Sequence, residues 1–227
     1  MKISVAMAAY KGEKYIEAQL RSILPQLNEN DEIIVSDDCP TDAVREIIKN
    51  LDDNRINYVA GPGKGVIKNF ENAISLSTGD CIFLCDQDDV WCEGKVSACV
   101  GELQNGAILV MHDAKIVDSN LFLKEESFFQ MHNTKTGIFN NILRNSYIGC
   151  CMAFSSEMKK YILPFPERLP MHDQWIGLMA QKHGKVKLID KPLILYRRHG
   201  ETVTGGKTSA FDKVKWRIQI IRAVIGG

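Results

Sequence analysis

The stretch Asp80-Cys81-Ile82-Phe83-Leu84-Cys85-Asp86-Gln87-Asp88-Asp89-Val90-Trp91 runs a continuous apolar segment straight into three carboxylates within four positions. An apolar run without polar alternation fits a strand covered on both faces, as in a parallel sheet. Carboxylates packed so closely repel one another unless positive charge stands among them. Asp-x-Asp at a strand end therefore suits a divalent cation, Mg²⁺ or Mn²⁺, held by hard oxygen ligands. A solvated acidic turn is the plainer reading of the same residues.

Working upstream, ISVAMAA (Ile3 to Ala9) is another short apolar run. EKYIEAQLRSILPQL follows with helical spacing at Ile16, Leu20, Ile23, Leu24 and Leu27, and Pro25 shortens or kinks that helix. DEIIVSDD and RINYVAG read as strands. TDAVREIIKNL and VIKNFENAISLS read as helices, with Thr41 an N-cap candidate and Gly79 a stop. The order is β-α-β-α-β-α-β, which predicts a parallel sheet with helices on both faces. Beyond Asp89 the rhythm changes. Helices are expected at KVSACVGELQ, GIFNNILRN and DQWIGLMAQKHG, and strands at AILVMHDAKIVD, CCMAFS and KPLILYRRH. A basic amphipathic helix, SAFDKVKWRIQIIRAVIGG, closes the chain.

With 227 residues, 45% hydrophobic and 25% charged, the chain suits one globular domain with a small appendage. Its 28 Lys and Arg balance 28 Asp and Glu, so the global basic excess of a nucleic-acid binder is missing. No apolar run approaches the roughly 20 residues that span a bilayer, and the first residues lack a signal-peptide pattern. Seven cysteines, an odd number with no C-x-x-C pair, predict reduced thiols in a cytoplasmic setting.

In an open parallel sheet, ligands bind beyond the carboxyl ends of the strands. Those ends carry Ala8-Ala9-Tyr10, Asp37-Asp38 and Asp86-Gln87-Asp88-Asp89. The first turn holds only Gly12, so a glycine-rich dinucleotide loop is excluded there, and no Walker A sequence occurs. GPGKG (Gly61 to Gly65) lacks the G-K-[ST] ending and reads as a flexible loop. Phosphate is then expected on a metal bridge instead of a backbone cradle.

Taken together, these stretches, with MHDQW (Met171 to Trp175) and YRRHGETVTG (Tyr196 to Gly205), resemble bacterial family-2 glycosyltransferases from about Ile3 to about Gly205. The D-Q-D-D-V-W and later Y-R-R-H-G look especially like the branch containing rhamnosyltransferases of cell-surface polysaccharides. The resemblance implies a GT-A fold, an α/β, Rossmann-like three-layer α/β/α architecture with a mostly parallel central sheet. It divides the chain into a transferase domain, 1–208, with a nucleotide-binding half, 1–89, and an acceptor-side half, 90–208, followed by the helix at 209–227. Ala8, Ala9 and Tyr10 would line the nucleoside pocket, and Asp38 would accept the N3–H of a pyrimidine. Lys68 and Asn69 stand where the family carries Arg-Asn near the donor. Asp86 and Gln87 would lie at the nucleotide-sugar. Asp88 would bind the metal, with His199 completing its shell or touching the diphosphate, and Asp89 would support the loop.

Glycosyl transfer with inversion needs a base facing the acceptor hydroxyl. In MHDQW, Asp173 takes that role by resemblance, and His172 stands where the family has a first acid. A helix N-terminus is expected to lower the pKa of Asp173 and keep it ionised; a plain N-cap is the alternative. Trp175 fits a sugar-stacking ring or a core residue, and His172 an acceptor contact or a surface residue. Gly149 fits a close backbone approach to ligand or a turn. His112-Asp113 fits the acceptor side or a structural hydrogen bond, Trp91 packs beneath the acidic loop, and His132 and His183 read as surface residues. The tail places Phe211, Val214, Ile218, Ile221 and Val224 or Ile225 along one side, with Lys213, Lys215, Arg217 and Arg222 elsewhere. That suits peripheral contact with an anionic inner membrane, or packing on the body.

The expected partners are a nucleoside-diphosphate sugar, UDP- or dTDP-linked, and a glycan or lipid-linked acceptor; an oligomer stays open. The rivals are a sugar-phosphate nucleotidyltransferase, for which the first turn YKGEKY is a poor phosphate loop, and a non-catalytic nucleotide-sugar-binding module.

Overall fold

The computed structural model describes residues 1–40, 42–198 and 209–226. In the amino-terminal half, strands β1 (Ile3–Ala9), β2 (Glu32–Asp37), β3 (Ile56–Ala60) and β4 (Cys81–Asp86) alternate with helices α1 (Ile16–Ile23), α2 (Asp42–Leu51) and α3 (Val66–Leu76). All four strands run parallel, in the order β3-β2-β1-β4. Every residue of β1 is buried, which explains its unbroken apolar sequence. Pro25 has no N–H to continue α1, and the chain there tightens into a 3₁₀ turn over Leu24–Gln26. The register pairs Ala8 with Asp86 and Ala9 with Asp37, so three strand ends stop at one level.

The carboxy-terminal half extends the same sheet with mixed directions. Beyond β4 come β8 (Met152–Ser155), β6 (Ala107–Val117), β9 (Lys185–Arg197) and β5 (Val90–Trp91), and β7 (Leu123–Glu125) pairs off β6. β8 is antiparallel to both β4 and β6, whereas β9 is parallel to β6. CCMAFS therefore splits: Gly149–Cys151 form a 3₁₀ turn and only Met152–Ser155 are strand. β9 begins at Lys185, six residues before the expected start at Lys191, because its edge pairing with β6 carries half-buried positions. The two-residue β5 gave no periodicity to read. It pairs with Leu195 and Ile194 of β9 and fastens the acidic loop to the last strand.

The remaining helices are α4 (Lys95–Gln104), α5 (Phe128–His132), α6 (Ile138–Leu143), α7 (Lys159–Ile162), α8 (His172–His183) and α9 (Ala210–Gly226). α3 packs on β1 and β2, α4 on β6, and α8 on β6 and β9. α9 lies against α6 and α8. It docks through Ile220, which is 1% exposed, with Ala223 and Val224 partly buried, and Arg217 donates to the Leu143 carbonyl. The expected apolar stripe is largely on the other side: Val214, Ile218, Ile221 and Ile225 are exposed. Among the described residues, no helix is long and apolar enough to cross a membrane.

β4 and the acidic loop share one packing unit. Phe83 is fully buried, with its ring 5.4 Å from that of Trp91. Phe83→Ala is expected to cost about 3–5 kcal/mol through the cavity it leaves. Urea unfolding at pH 7 measures this, and a loss below about 1 kcal/mol would contradict the packing.

Candidate active site

The donor side is built from backbone as much as from side chains. Tyr10 leaves β1 with its ring more than half exposed. Its N–H donates to Gln87 Oε1 at 2.8 Å, and Gln87 Nε2 donates back to its carbonyl at 2.7 Å. Gln87 thus acts as a clamp that ties the first turn to the acidic loop. A Cβ on Gly12 would meet Gln87 Oε1 at 2.4 Å, so glycine at 12 makes room for that clamp.

Asp37 and Asp38 have different jobs. Asp37 is buried and accepts from the Tyr58 hydroxyl and the Cys39 N–H. Asp38 accepts from the Gly63 N–H at 2.9 Å and the Gly65 N–H at 2.8 Å. The 61–65 segment is therefore folded over Asp38, and its reading as a plain flexible loop is corrected. Gly63 and Gly65 both have positive φ, and a Cβ on Gly61 would come within 2.4 Å of Asp38 Oδ1 and 2.7 Å of Asn69 Oδ1. Asn69 is buried in α3 and donates to the Ala9 carbonyl. Lys68 is paired with Glu71 at 2.5 Å and also reaches the Phe165 carbonyl, so its ammonium is committed along α3.

The acidic loop sits where β4 ends. Asp86 and Asp88 are half-buried, and Asp89 is fully buried. Asp89 Oδ1 accepts from the Arg197 backbone N–H; Oδ2 has no N–H or O–H partner among the described residues, and the Cys150 thiol lies beside the carboxylate. Loss of water and then the neighbouring Asp88 charge raise the pKa of both Asp86 and Asp89. Two buried cations are fixed at this loop. Lys95 is fully buried, donates to the Cys150 carbonyl at 2.7 Å, and stands 3.9 Å over the Trp91 ring. Arg197 donates from Nε to the Asp88 carbonyl at 2.6 Å and from Nη1 to the Ser119 carbonyl, and its guanidinium lies 4.6 Å from the Tyr15 ring.

Asp86, Asp89 and Cys150 bring one ligand atom each within 4.8 Å of one another; Asp88 does not belong to that group. Burial and neighbours hold the Cys150 thiol protonated, so the hard carboxylate oxygens, including the orphaned Asp89 Oδ2, are what fits a divalent ion. His199 lies outside the described residues.

Asp173 enters from α8. Gln174 N–H donates to its Oδ1 at 2.6 Å and Asn145 Nδ2 at 3.3 Å. A Cβ on Gly149 would meet Asp173 Cβ at 3.7 Å and Leu84 Cδ1 at 3.8 Å, so the start of α8 approaches the end of β4. Contrary to the expectation from the helix end, burial dominates the two backbone and side-chain donors, and the pKa of Asp173 is raised to about 6. His172 is buried, not a surface residue. It stacks 4.2 Å from the Phe70 ring, and both ring nitrogens lack a partner among the described residues. Burial lowers its pKa to about 3. A Cβ on Gly149 would meet His172 Nε2 at 3.1 Å, so glycine there fits a close approach.

Trp175 is a core residue: it is 2% exposed and its indole N–H donates to the Ile162 carbonyl. His112 and Asp113 are buried and structural, Asp113 accepting from Ala114 and Phe129 N–H groups and the Ser127 hydroxyl. His132 and His183 are half-buried and stack on Phe128 and Tyr161. The residues that sequence reading missed are Lys95, Arg197, Asn145, Gly12 and Gly61. Gly12 was visible as a lone glycine in the first turn and Gly61 as the first glycine of GPGKG, whereas Asn145 carried no signal.

The fold and the cleft define a glycosyltransferase of GT-A architecture. Solved structures share it: TarS of S. aureus (residues 1–349) in complex with UDP-GlcNAc superposes with a TM-score of 0.75 at 21% identity, over 99% of this chain and 65% of that one. The mannosyltransferase PcManGT of Pyrobaculum calidifontis, in complex with GDP-Man and Mn²⁺, gives 0.63 at 18%, over 99% and 62%. Residues 4–162 match the family described as Glycosyl transferase family 2, and the chain belongs to that family. The dTDP-rhamnosyl transferase RfbG of Shigella flexneri is 28% identical over 95% of this chain and 79% of its own length. This chain spans about two thirds of the length of several proteins that it matches.

The raised pKa of Asp173 has a stability consequence. The unfolded chain ionises this carboxyl near pH 4 and the folded chain near pH 6, so folding loses stability as pH rises across that window and regains none above it. Asp173→Asn removes about 3 kcal/mol of that loss. Urea unfolding in metal-free buffer at pH 4.5 and pH 7 compares the two proteins; equal pH slopes would place Asp173 in water.

Proposed function

We propose that the protein is an inverting, metal-dependent glycosyltransferase of bacterial surface-polysaccharide synthesis. It moves a sugar from a nucleoside-diphosphate sugar, dTDP-rhamnose or a UDP-sugar, to a hydroxyl of a glycan or lipid-linked acceptor. The observation that supports this reading is the approach of α8 to β4 at Gly149, where a Cβ would meet Asp173 Cβ at 3.7 Å and Leu84 Cδ1 at 3.8 Å, so the candidate base and the candidate donor anchor Asp86 lie on neighbouring element ends. The donor class is supported by the UDP-GlcNAc and GDP-Man complexes of the structural neighbours, and the rhamnosyl option by RfbG.

Tyr10 offers an exposed ring to the base, and Ala8 and Ala9 offer flat backbone at the strand end. Each Asp38 oxygen keeps a lone pair beyond its glycine N–H and accepts from a pyrimidine N3–H. Asp86, Asp88 and Asp89, with His199, would hold Mg²⁺ or Mn²⁺, which when bound neutralises charge on the leaving diphosphate. Asp173 takes the proton of the acceptor hydroxyl. The acceptor oxygen bonds to the anomeric carbon from the face opposite the diphosphate, whose oxygen departs with the electron pair, and the configuration inverts. A carboxylate with a pKa near 6 is mostly ionised at pH 7 and is a stronger base than an ordinary aspartate.

Asp173→Asn is expected to lower nucleotide release by roughly 10²-fold or more, with donor affinity nearly intact. Asp88→Ala is expected to abolish metal-dependent binding of UDP and dTDP. Turnover at the wild-type level in the first variant, or unchanged binding in the second, removes the respective role. The exposed stripe on α9, flanked by exposed Lys213, Lys215 and Arg222, supports peripheral contact with the inner face of the membrane. Changing Ile218 and Ile221 to Ser is expected to weaken co-sedimentation with phosphatidylglycerol vesicles at least several-fold; equal binding would leave α9 without that role.

A further inference from the structure

Lys95 occupies a position that helix chemistry disfavours. It is the first residue of α4, where the backbone N–H groups present partial positive charge, and the first turn holds no acid to offset it. The cap is Gly94, which contributes no side-chain hydrogen bond. The ammonium is also fully buried, so it has lost its water. A neutral side chain of similar length would fill the space, and an amide could donate to the Cys150 carbonyl just as well. Charge at this point needs its own reason, and the acidic loop supplies it. Lys95 is fixed from below by the Trp91 face, whose ring belongs to the same loop, and from the side by Cys150, whose thiol adjoins Asp89. Cys150, whose carbonyl holds the ammonium, brings its sulfur within 4.8 Å of a carboxylate oxygen of both Asp86 and Asp89.

We propose that Lys95 is a positioning residue whose buried positive charge holds the acidic loop together before a divalent ion binds and weakens the grip on that ion afterwards. This rests on the metal reading given above. An ammonium held between the Trp91 face and the Cys150 carbonyl fixes positive charge beside the acidic loop, so the loop needs no ion to fold. The same charge repels an incoming dication twice as strongly as it attracts one carboxylate at equal distance. Removing it while keeping a hydrogen-bond donor therefore tightens metal binding and loosens the metal-free loop. A purely structural lysine predicts the reverse: loss of order and loss of metal together.

The test titrates Mn²⁺ alone into the full chain by calorimetry, with thermal unfolding followed in parallel. Lys95→Gln is expected to bind Mn²⁺ roughly tenfold tighter than wild type, to melt lower without metal, and to recover most of the difference when Mn²⁺ is added. Lys95→Arg, which keeps the charge, is expected to stay near wild-type affinity. A folded Lys95→Gln protein with unchanged or weaker Mn²⁺ affinity overturns the proposal, as does an Arg variant that tightens like Gln. Should the Gln variant be unfolded without metal, folding on addition of Mn²⁺ supports the proposal and failure to fold overturns it. A wild type that takes up no Mn²⁺ overturns the metal reading itself, and this inference with it.

Discussion

Three carboxylates at the end of a buried strand cannot be ionised together unless their field is met. That requirement organises the centre of this protein. β4 must be apolar to sit inside the sheet, and it must stop where its last side chain reaches the cleft. The loop that follows turns back to pair with β9 through only two residues. This brings the Asp89 carboxylate under the Arg197 N–H and the Asp88 carbonyl onto the Arg197 guanidinium. Lys95, six residues past the last of the three acids, is held between the Trp91 ring and the Cys150 carbonyl. Residues far apart in sequence thus answer one electrostatic demand, and the carboxy-terminal half of the sheet is where the answers come from.

The donor side meets a different constraint, which is space. Gly12 and Gly61 lack a Cβ where Gln87, Asp38 and Asn69 need to approach. The Gln87 amide bonds to Tyr10 in both directions, so the first turn and the acidic loop are tied together. The Asp38 carboxylate is oriented by two glycine N–H groups before any nucleoside arrives. Pre-setting a carboxylate in this way reduces the ordering cost at the moment of binding.

The amino-terminal half was legible because β1, β2 and β4 are buried on both faces and each helix keeps a 3.6-residue period. Those patterns follow directly from burial, and β1, β2 and β4 fall where the apolar runs lie. The second half was harder for reasons specific to its parts. β5 is too short for any periodicity, and β9 starts among charged, half-buried residues. For the candidate site, the D-x-D pattern falls at the end of β4 and the MHDQW stretch at the start of α8, because element ends are where polar side chains interrupt the apolar pattern. Lys95 and Arg197 were hidden because a cation near a surface-type motif reads as solvated until its burial is known. Trp175 looked the same as a sugar platform or a core ring, and only the Ile162 carbonyl beneath its N–H decides for the core. Asp173 was located correctly on α8, but the direction of its pKa depended on how much water the fold excludes.

That direction bears on why a histidine precedes it. Two adjacent acids at the start of α8 would place two negative charges in a dry cleft that already holds Asp86, Asp88 and Asp89. His172 is neutral across the physiological range because burial suppresses its protonation, and it sits flat on Phe70 without a polar partner of its own among the described residues. The cleft therefore carries one negative charge at the helix start instead of two, and the basicity of Asp173 is set by burial working against the Gln174 N–H and the Asn145 amide. A second acid would push that pKa further up and leave the base more protonated at neutral pH. The neutral ring leaves Asp173 as the one ionisable carboxyl in the first turn of α8.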